Sequence, residues 1–95
     1  MTTLHFDMDA GYQTADQIKA FRENVHEQLR SLSARVNNQF VGGEWQGQAA
    51  EAFRTEFNDW ANYQLLPQLN ALESLEVALR THVDSWSQTS SSFMP

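Results

Sequence analysis

The central stretch of the chain, Gly43-Glu44-Trp45-Gln46-Gly47-Gln48-Ala49-Ala50-Glu51-Ala52-Phe53, decides the fold because helical patterns run into it from both sides. Gly42-Gly43 predicts the end of a first helix, since glycine adopts the left-handed conformation that follows a helix without a Cβ penalty. We expect Trp45 to fold over the turn and hold the two helices together, and Gly47 to admit a neighbouring backbone. Two long helices joined by so short a turn must lie antiparallel.

Upstream of the turn, residues 14–41 carry the pattern of an amphipathic helix. The apolar positions recur at spacings of three and four, which place them on one helical face without an intervening Gly or Pro. They are Ile18, Phe21, Val25, Leu29, Leu32, Val36 and Phe40. Thr14-Ala15-Asp16-Gln17 has the form of a capping box and predicts the helix start. Residues 1–13, where apolar and polar residues alternate near the start, predict an extended segment.

Downstream of the turn, a second helix is predicted over about residues 46–87. Phe53, Phe57 and Trp60 start its apolar face. A seven-residue recurrence then continues the face through Leu65, Leu72, Leu79 and Trp86, with Leu69 and Val83 at the intervening position. The polar residues 89–95 predict a disordered tail.

Two residues interrupt the second pattern. Glu76 falls in the register of Leu69 and Val83, so it is either a polar specificity device or a sign that Leu75 replaces it locally at the seam. Pro67 lacks the amide hydrogen that would bond to the Tyr63 carbonyl, which predicts a kink. Because the apolar register continues on both sides of Pro67, we do not expect a break.

The predicted fold class is all-α, an antiparallel two-helix hairpin over residues 14–88 with its turn at 42–47. One partner helix cannot cover so many apolar positions, so we expect two hairpins to associate into a four-helix bundle. The candidate interface residues are Phe53, Phe57, Trp60, Leu65, Leu69, Leu72, Ile18, Phe21, Val25 and Leu29. Trp86 is a candidate for a partner contact, with simple packing in the bundle as the alternative.

Composition limits the classes of function. With 12 acidic and 6 basic residues the net charge is −6, which argues against nucleic acid as a partner. Most of the excess negative charge lies in residues 44–86, which contain seven acidic residues and two basic ones. That segment either meets a basic partner or forms a solvated acidic face. The chain has no membrane-spanning apolar stretch, no secretory signal pattern and no cysteine, so we expect no stable membrane insertion and no disulfide.

No residue pattern indicates catalysis or a cofactor. Glu23-x-x-His26 is the only pair of the kind that binds metal inside helical bundles, where two such pairs are needed. A metal-dependent bundle enzyme therefore remains only as the alternative from a different class of function. The serines near the C-terminus do not occur in a Gly-x-Ser-x-Gly arrangement, and Gly42-Gly43 lacks the continuation of a phosphate-binding loop.

A Trp-x-Gly motif between two amphipathic helices in a chain of about a hundred residues, followed by Ala-Ala-x-x-Phe, resembles the WXG-motif family of small type VII secretion substrates. The resemblance covers roughly residues 4–88, with Trp45 and Gly47 as the motif residues. It implies a helical hairpin, a homodimer or a heterodimer with a paralogous partner, and export of the folded dimer by an ATPase-driven machine. It also implies a role as a secreted virulence or competition factor, or as an adaptor for a larger effector.

The chain departs from this family pattern at its C-terminal end. Many exported members carry Tyr-x-x-x-Asp/Glu after the second helix, whereas the only tyrosines here are Tyr12 and Tyr63. Tyr12-x-x-x-Asp16 fits the spacing, but it lies near the N-terminal end of the chain and not after the second helix. The resemblance therefore implies a cytoplasmic protein secreted without a signal peptide, with the signal supplied by a partner or degenerate, or alternatively an intracellular chaperone for a larger toxin.

Overall fold

Two long helical arms make up the chain in the computed structural model, which describes the backbone of residues 7–92 and the side chains of residues 7–86. In chain order the elements are α1 (Met8–Arg35), a π-helical turn (Val36–Phe40), α2 (Gln48–Trp60), a second π-helical turn (Ala61–Leu65) and α3 (Leu66–Ser92). The molecule measures 72 × 21 × 18 Å, and α1 packs along α3. The all-helical hairpin predicted from the sequence is confirmed.

Helix α1 begins at Met8, six residues before the predicted start at Thr14. Asp7 caps the helix, because its carboxylate accepts a hydrogen bond from the Ala10 amide at 3.1 Å. The Thr14 hydroxyl caps nothing and donates to the Ala10 carbonyl inside the helix at 2.7 Å. An earlier acidic cap thus replaces the capping box, and residues 8–13 are not extended. The rest of the predicted extended segment, residues 1–6, lies outside the described residues.

Helix α3 continues to Ser92, beyond the predicted end of the hairpin at residue 88. The polar run that predicted a disordered tail contains no Gly or Pro between Ser87 and Ser92, so the backbone has no residue that would stop the helix. Residues 93–95 lie outside the described part of the chain.

The second arm passes Pro67 without a break. The π-helical turn Ala61–Leu65 ends directly before it, with the Leu66 amide donating to the Ala61 carbonyl. Proline lacks an amide hydrogen and its ring crowds the carbonyl four residues earlier. A wide turn just ahead of a proline changes the hydrogen-bond pattern where the normal one cannot be completed.

Small residues dominate the seam between the two arms. Gly11, Ala15 and Val83 are buried far from the turn, and Ala50 and Ala61 are buried nearer to it. Short side chains allow two helices to approach closely. Leu69 is also buried, at 4% exposure, whereas the aromatic side chains and most of the larger aliphatic ones are left beside the seam.

The seam also contains a buried ion pair, which decides between the two interpretations of Glu76. Glu76 is 7% exposed and lies in the seam, whereas Leu75 is 62% exposed. The Glu76 carboxylate accepts hydrogen bonds from Arg22 of α1 at 2.9 Å and from Arg80 of α3 at 3.0 Å. Arg80 in turn donates to Asp16 at 2.9 Å. Glu76 is thus a polar link between the arms.

The paired arginines set the ionisation of Glu76. Burial by itself raises the pKa of this carboxyl, but the hydrogen bond from Arg80 and the charges of Arg22 and Arg80 outweigh it and hold the pKa below the ordinary value of 4.5. A carboxyl whose pKa is lower in the folded state than in the unfolded state stabilises the fold at pH values above the unfolded-state pKa. This stabilisation is lost as the pH falls through the folded-state pKa.

We expect Glu76→Gln to lower the free energy of unfolding most above a pH of about 5. The difference from wild type should shrink as the pH falls below 4.5, where the unfolded-state carboxyl becomes protonated, and should vanish below the depressed pKa of the folded state. Urea unfolding of both proteins across this pH range measures it. Glu73→Gln, which removes an exposed carboxylate from the same helix, is the matched control. A deficit of Glu76→Gln that stays constant with pH would contradict the assignment.

Candidate functional site

Backbone hydrogen bonds close the turn around Trp45. The Trp45 amide donates to the Phe40 carbonyl at 2.7 Å, and the Gly42 amide donates to the Trp45 carbonyl at 2.8 Å. The Glu44 amide donates to the Gln39 carbonyl at 3.1 Å. Two of these bonds satisfy carbonyls at the end of the first arm, and two involve the main chain of Trp45, so the backbone of the motif tryptophan is held by main-chain hydrogen bonds.

Three glycines are needed in the turn for two different reasons. Gly42 and Gly47 have φ values of 92° and 114°, which favour glycine. A Cβ on Gly43 would lie 2.4 Å from the Gln39 carbonyl oxygen, so Gly43 permits a close backbone approach. No heavy atom lies within 4 Å of a Cβ built on Gly47. The expectation that Gly47 admits a neighbouring backbone is therefore wrong, because its requirement is conformational.

Arg54 ties the start of α2 to the end of the first arm. Its Nη2 donates to the Val41 carbonyl at 2.7 Å and to the Asn37 carbonyl at 3.4 Å, while Nη1 lies 3.1 Å from a Glu51 carboxylate oxygen. The amides of Asn37 and Asn58 add reciprocal hydrogen bonds at 3.0 Å across the seam. Sequence reasoning missed these residues, although an arginine on the apolar side of α2 was a usable signal.

The Trp45 indole joins the two arms and starts a row of aromatic rings. Its ring centroid lies 5.5 Å from that of Phe40 at the end of the first arm and 5.9 Å from that of Phe53 in α2. The row continues to Phe57 at 6.4 Å and then to Trp60 at 5.9 Å. These distances lie in the favourable range for aromatic pairs. One side of Trp45 stays in solvent, with 36% of the residue exposed.

The row of rings leads into an apolar face that runs along one side of the hairpin. Both arms contribute to three neighbouring shallow grooves on this side. The residues of this apolar face are Ile18, Phe21, Val25, Leu29, Leu32, Phe40, Phe53, Phe57, Trp60, Leu65 and Leu72. All of them are half-buried or exposed, and Phe21 is 59% exposed. A single hairpin thus leaves a long strip of large apolar side chains in contact with water.

Nine of the ten predicted interface residues line these grooves or belong to the aromatic row, and Ile18 continues the same face by helical spacing. Leu69 differs from the others because it is only 4% exposed, so it lies at the floor of its groove and packs the hairpin itself. The seven-residue pattern could not make that distinction. Trp86 is half-buried near the end of α3, at the opposite end of the molecule from Trp45.

The described residues offer little for chemistry. Among them no group of three His, Cys, Asp or Glu side chains could hold a metal ion. His5 lies outside the described residues. Within the described helices none is long and apolar enough to cross a membrane. The features that remain for function are the closed turn and the apolar face.

Comparison with known proteins agrees with this picture. The profile of the WXG100 family, described as proteins of 100 residues with WXG, matches residues 5–91. No curated protein and no solved structure shows significant similarity to the chain. The matched range spans both arms, with the turn at its centre.

We expect Gly47→Ala to lower the free energy of unfolding by about 1–3 kcal/mol, because a residue with a Cβ is strained at this φ. Chemical denaturation followed by circular dichroism measures the change. Gln48→Ala, an exposed substitution at the next position in the chain, should change stability little. Equal stability of Gly47→Ala and wild type would refute the conformational explanation.

Proposed function

The chain belongs to the WXG100 family, and from that premise we propose that it is a non-catalytic interaction protein of a type VII-like secretion system, exported as a folded dimer. Members of the family are small, non-enzymatic secreted proteins that leave the cell without a signal peptide and form homodimers or heterodimers. The observation that carries the proposal for this chain is its exposed apolar face.

The surface area of the chain supports a partner on that face. The accessible surface is 7176 Å², whereas a compact monomer of 10.9 kDa has about 5600 Å². The radius of gyration is 21.1 Å, against about 12 Å for a compact chain of this length. The excess of about 1600 Å² per chain is enough for a stable interface. A second hairpin laid on the apolar face gives the four-helix bundle that the sequence predicts.

The proposed partners follow from the family and from the geometry. The first is a second copy of the chain or a paralogous WXG-type protein on the apolar face. The others are the secretion ATPase, and a larger effector if the dimer serves as an adaptor. Before export the protein lies in the cytoplasm. Residues 64–95 contain no tyrosine, and we propose that a partner supplies the Tyr-x-x-x-Asp/Glu signal.

A second candidate function also accounts for the lack of tyrosine among residues 64–95. A chain that stays inside the cell needs no export signal of its own and can act as a chaperone or adaptor for a larger toxin. The apolar face would then cover helices of the toxin. In that case the chain accumulates in the cytoplasm with the toxin bound, which separates this function from the first.

We expect Phe21→Glu to weaken association by about 30-fold or more, as loss of an interface residue worth about 2 kcal/mol would. Light scattering after size-exclusion chromatography, over a dilution series, measures it. Val77→Glu is the matched control, because Val77 is 55% exposed and lies about 140° around α3 from Leu72 of the apolar face, by helical spacing. Equal effects of the two substitutions would show that the apolar face is not the interface.

Export should depend on the same face. In a bacterium with a type VII system, we expect the wild-type chain in the culture supernatant, and its loss when the secretion ATPase gene is deleted. Phe21→Glu should remain in the cells, while Val77→Glu should be exported like wild type. Immunoblots of cell and supernatant fractions, with a cytoplasmic protein as lysis marker, give the result. Export of Phe21→Glu at the wild-type level would contradict export as a dimer.

A further inference from the structure

The buried residues of the second arm follow one line along its helices, with a single irregular step. Ala61 follows Ala50 by 11 positions, which bring an α-helix to within about 20° of the starting direction. The steps from Leu69 to Glu76 and from Glu76 to Val83 are seven positions each, again within about 20°. The step from Ala61 to Leu69 is eight positions, which would turn the line by about 80° in a regular α-helix.

The π-helical turn Ala61–Leu65 lies inside this irregular step. Its hydrogen bond runs from the Leu66 amide to the Ala61 carbonyl, five positions apart, whereas an α-helical bond spans four. The turn therefore contains one residue more than an α-helical turn. When that residue is not counted, the step from Ala61 to Leu69 is seven positions, like the two steps that follow it. The turn thus absorbs the irregularity in the buried line.

The apolar face shows the same offset of one residue. Phe53 and Leu72, which line grooves of this face, are 19 positions apart. An unbroken α-helix would place them about 100° apart around its axis, whereas 18 positions make five full turns. For Trp60 and Leu72 the same subtraction lowers the angle from about 120° to about 20°. Without the π-helical turn, the aromatic row and the groove at Leu72 would lie on different sides of the arm.

Neither Pro67 nor packing in the middle of the turn explains the additional residue. A proline inside a helix removes one hydrogen bond and bends the helix, which requires no additional residue. The middle residues Asn62, Tyr63 and Gln64 are all exposed, and Tyr63 is 76% exposed, so their side chains do not hold the turn in shape. The buried residues on either side retain the turn, because a regular α-helix would move one set or the other out of line.

We propose that the π-helical turn Ala61–Leu65 sets the rotation of α3 relative to α2, and so joins the aromatic row and the groove at Leu72 into one partner-binding face. The inference rests on the proposed function, because it takes the apolar face to be the surface that a partner covers. The turn is a positioning element, which acts through Trp60 before it and Leu72 after it. The other π-helical turn, Val36–Phe40, has no such role, because the hairpin turn and not a helix follows it directly.

Two single-residue deletions test the inference. Gln64 lies within the π-helical turn and Thr55 lies within α2, and both are exposed. Each is deleted from a chain that also carries Pro67→Ala, so that no proline disturbs an arm that has become regular. Deletion of Gln64 removes the additional residue and leaves the buried line and the apolar face aligned. Deletion of Thr55 rotates Phe53 by about 100° relative to Trp60 and so divides the aromatic row.

We expect the chain without Gln64 to match Pro67→Ala in its urea midpoint, with a dimer dissociation constant within about threefold. The chain without Thr55 should have a lower urea midpoint and a dissociation constant raised about tenfold or more, because part of the face is displaced. Pro67→Ala by itself should associate like wild type, since the buried residues on both sides retain the turn. Light scattering over a dilution series and urea unfolding followed by circular dichroism measure these values.

Three results would overturn the inference. The first is that deletion of Gln64 harms stability and association as much as deletion of Thr55. The second is that both deletions are tolerated, since the rotation between the helices would then not matter. The third is weaker association of Pro67→Ala alone, which would make the proline the cause of the turn. A wild-type monomer that pairs with no WXG-type chain would instead remove the proposed function, while the urea midpoints would still show whether the turn sets the rotation.

Discussion

Two helices in a hairpin can bury only the strip of each that faces the other, and this constraint governs how the chain distributes its residues. The strip between the arms holds Gly11, Ala15, Val83 and Leu69, together with Glu76, while the aromatic and most of the larger aliphatic side chains lie beside it. A globular core normally has the reverse arrangement, with the largest apolar residues innermost. The hairpin therefore leaves most of its large apolar side chains outside its own core.

Polar interactions compensate for the thin seam. Small apolar residues fix the register of two helices weakly, because sliding by one turn exchanges one small side chain for another. The pair of Arg22 with Glu76, the reciprocal amides of Asn37 and Asn58 and the Arg54 guanidinium lie at successive points along the seam. A slipped register would leave these buried groups unpaired, and the free-energy cost of that exceeds what new apolar packing could return. The polar contacts that fix the register thus lie along the seam, whereas most of the large apolar side chains lie on another side of the same helices.

Much of the fold could be predicted from the sequence, since periodicity and glycines decide where helices run and where they turn. Periodicity could not separate Leu69 from Leu65 and Leu72, because an apolar stripe about 100° wide includes both the seam and the outer face. Apolar periodicity also does not fix the first residue of a helix, so the sequence predicted the N-cap at Thr14, whereas the structure has it at Asp7. The position of Arg54 on the apolar side of α2 indicates a buried role, but its partners are main-chain carbonyls, which no residue pattern identifies.

The turn and the apolar face are one continuous surface, which gives the tryptophan of the motif a second role. Trp45 contacts Phe40 and Phe53, and Phe53 begins the aromatic row that passes through Phe57 to Trp60 in the middle of the face. The indole that holds the arms together is thus also the end of the surface proposed to bind a partner. A partner seated on the face would press on the same rings that stabilise the turn. Binding of a partner on this face would therefore be coupled to the geometry of the turn through the packing of these rings, with the motif tryptophan in contact with both.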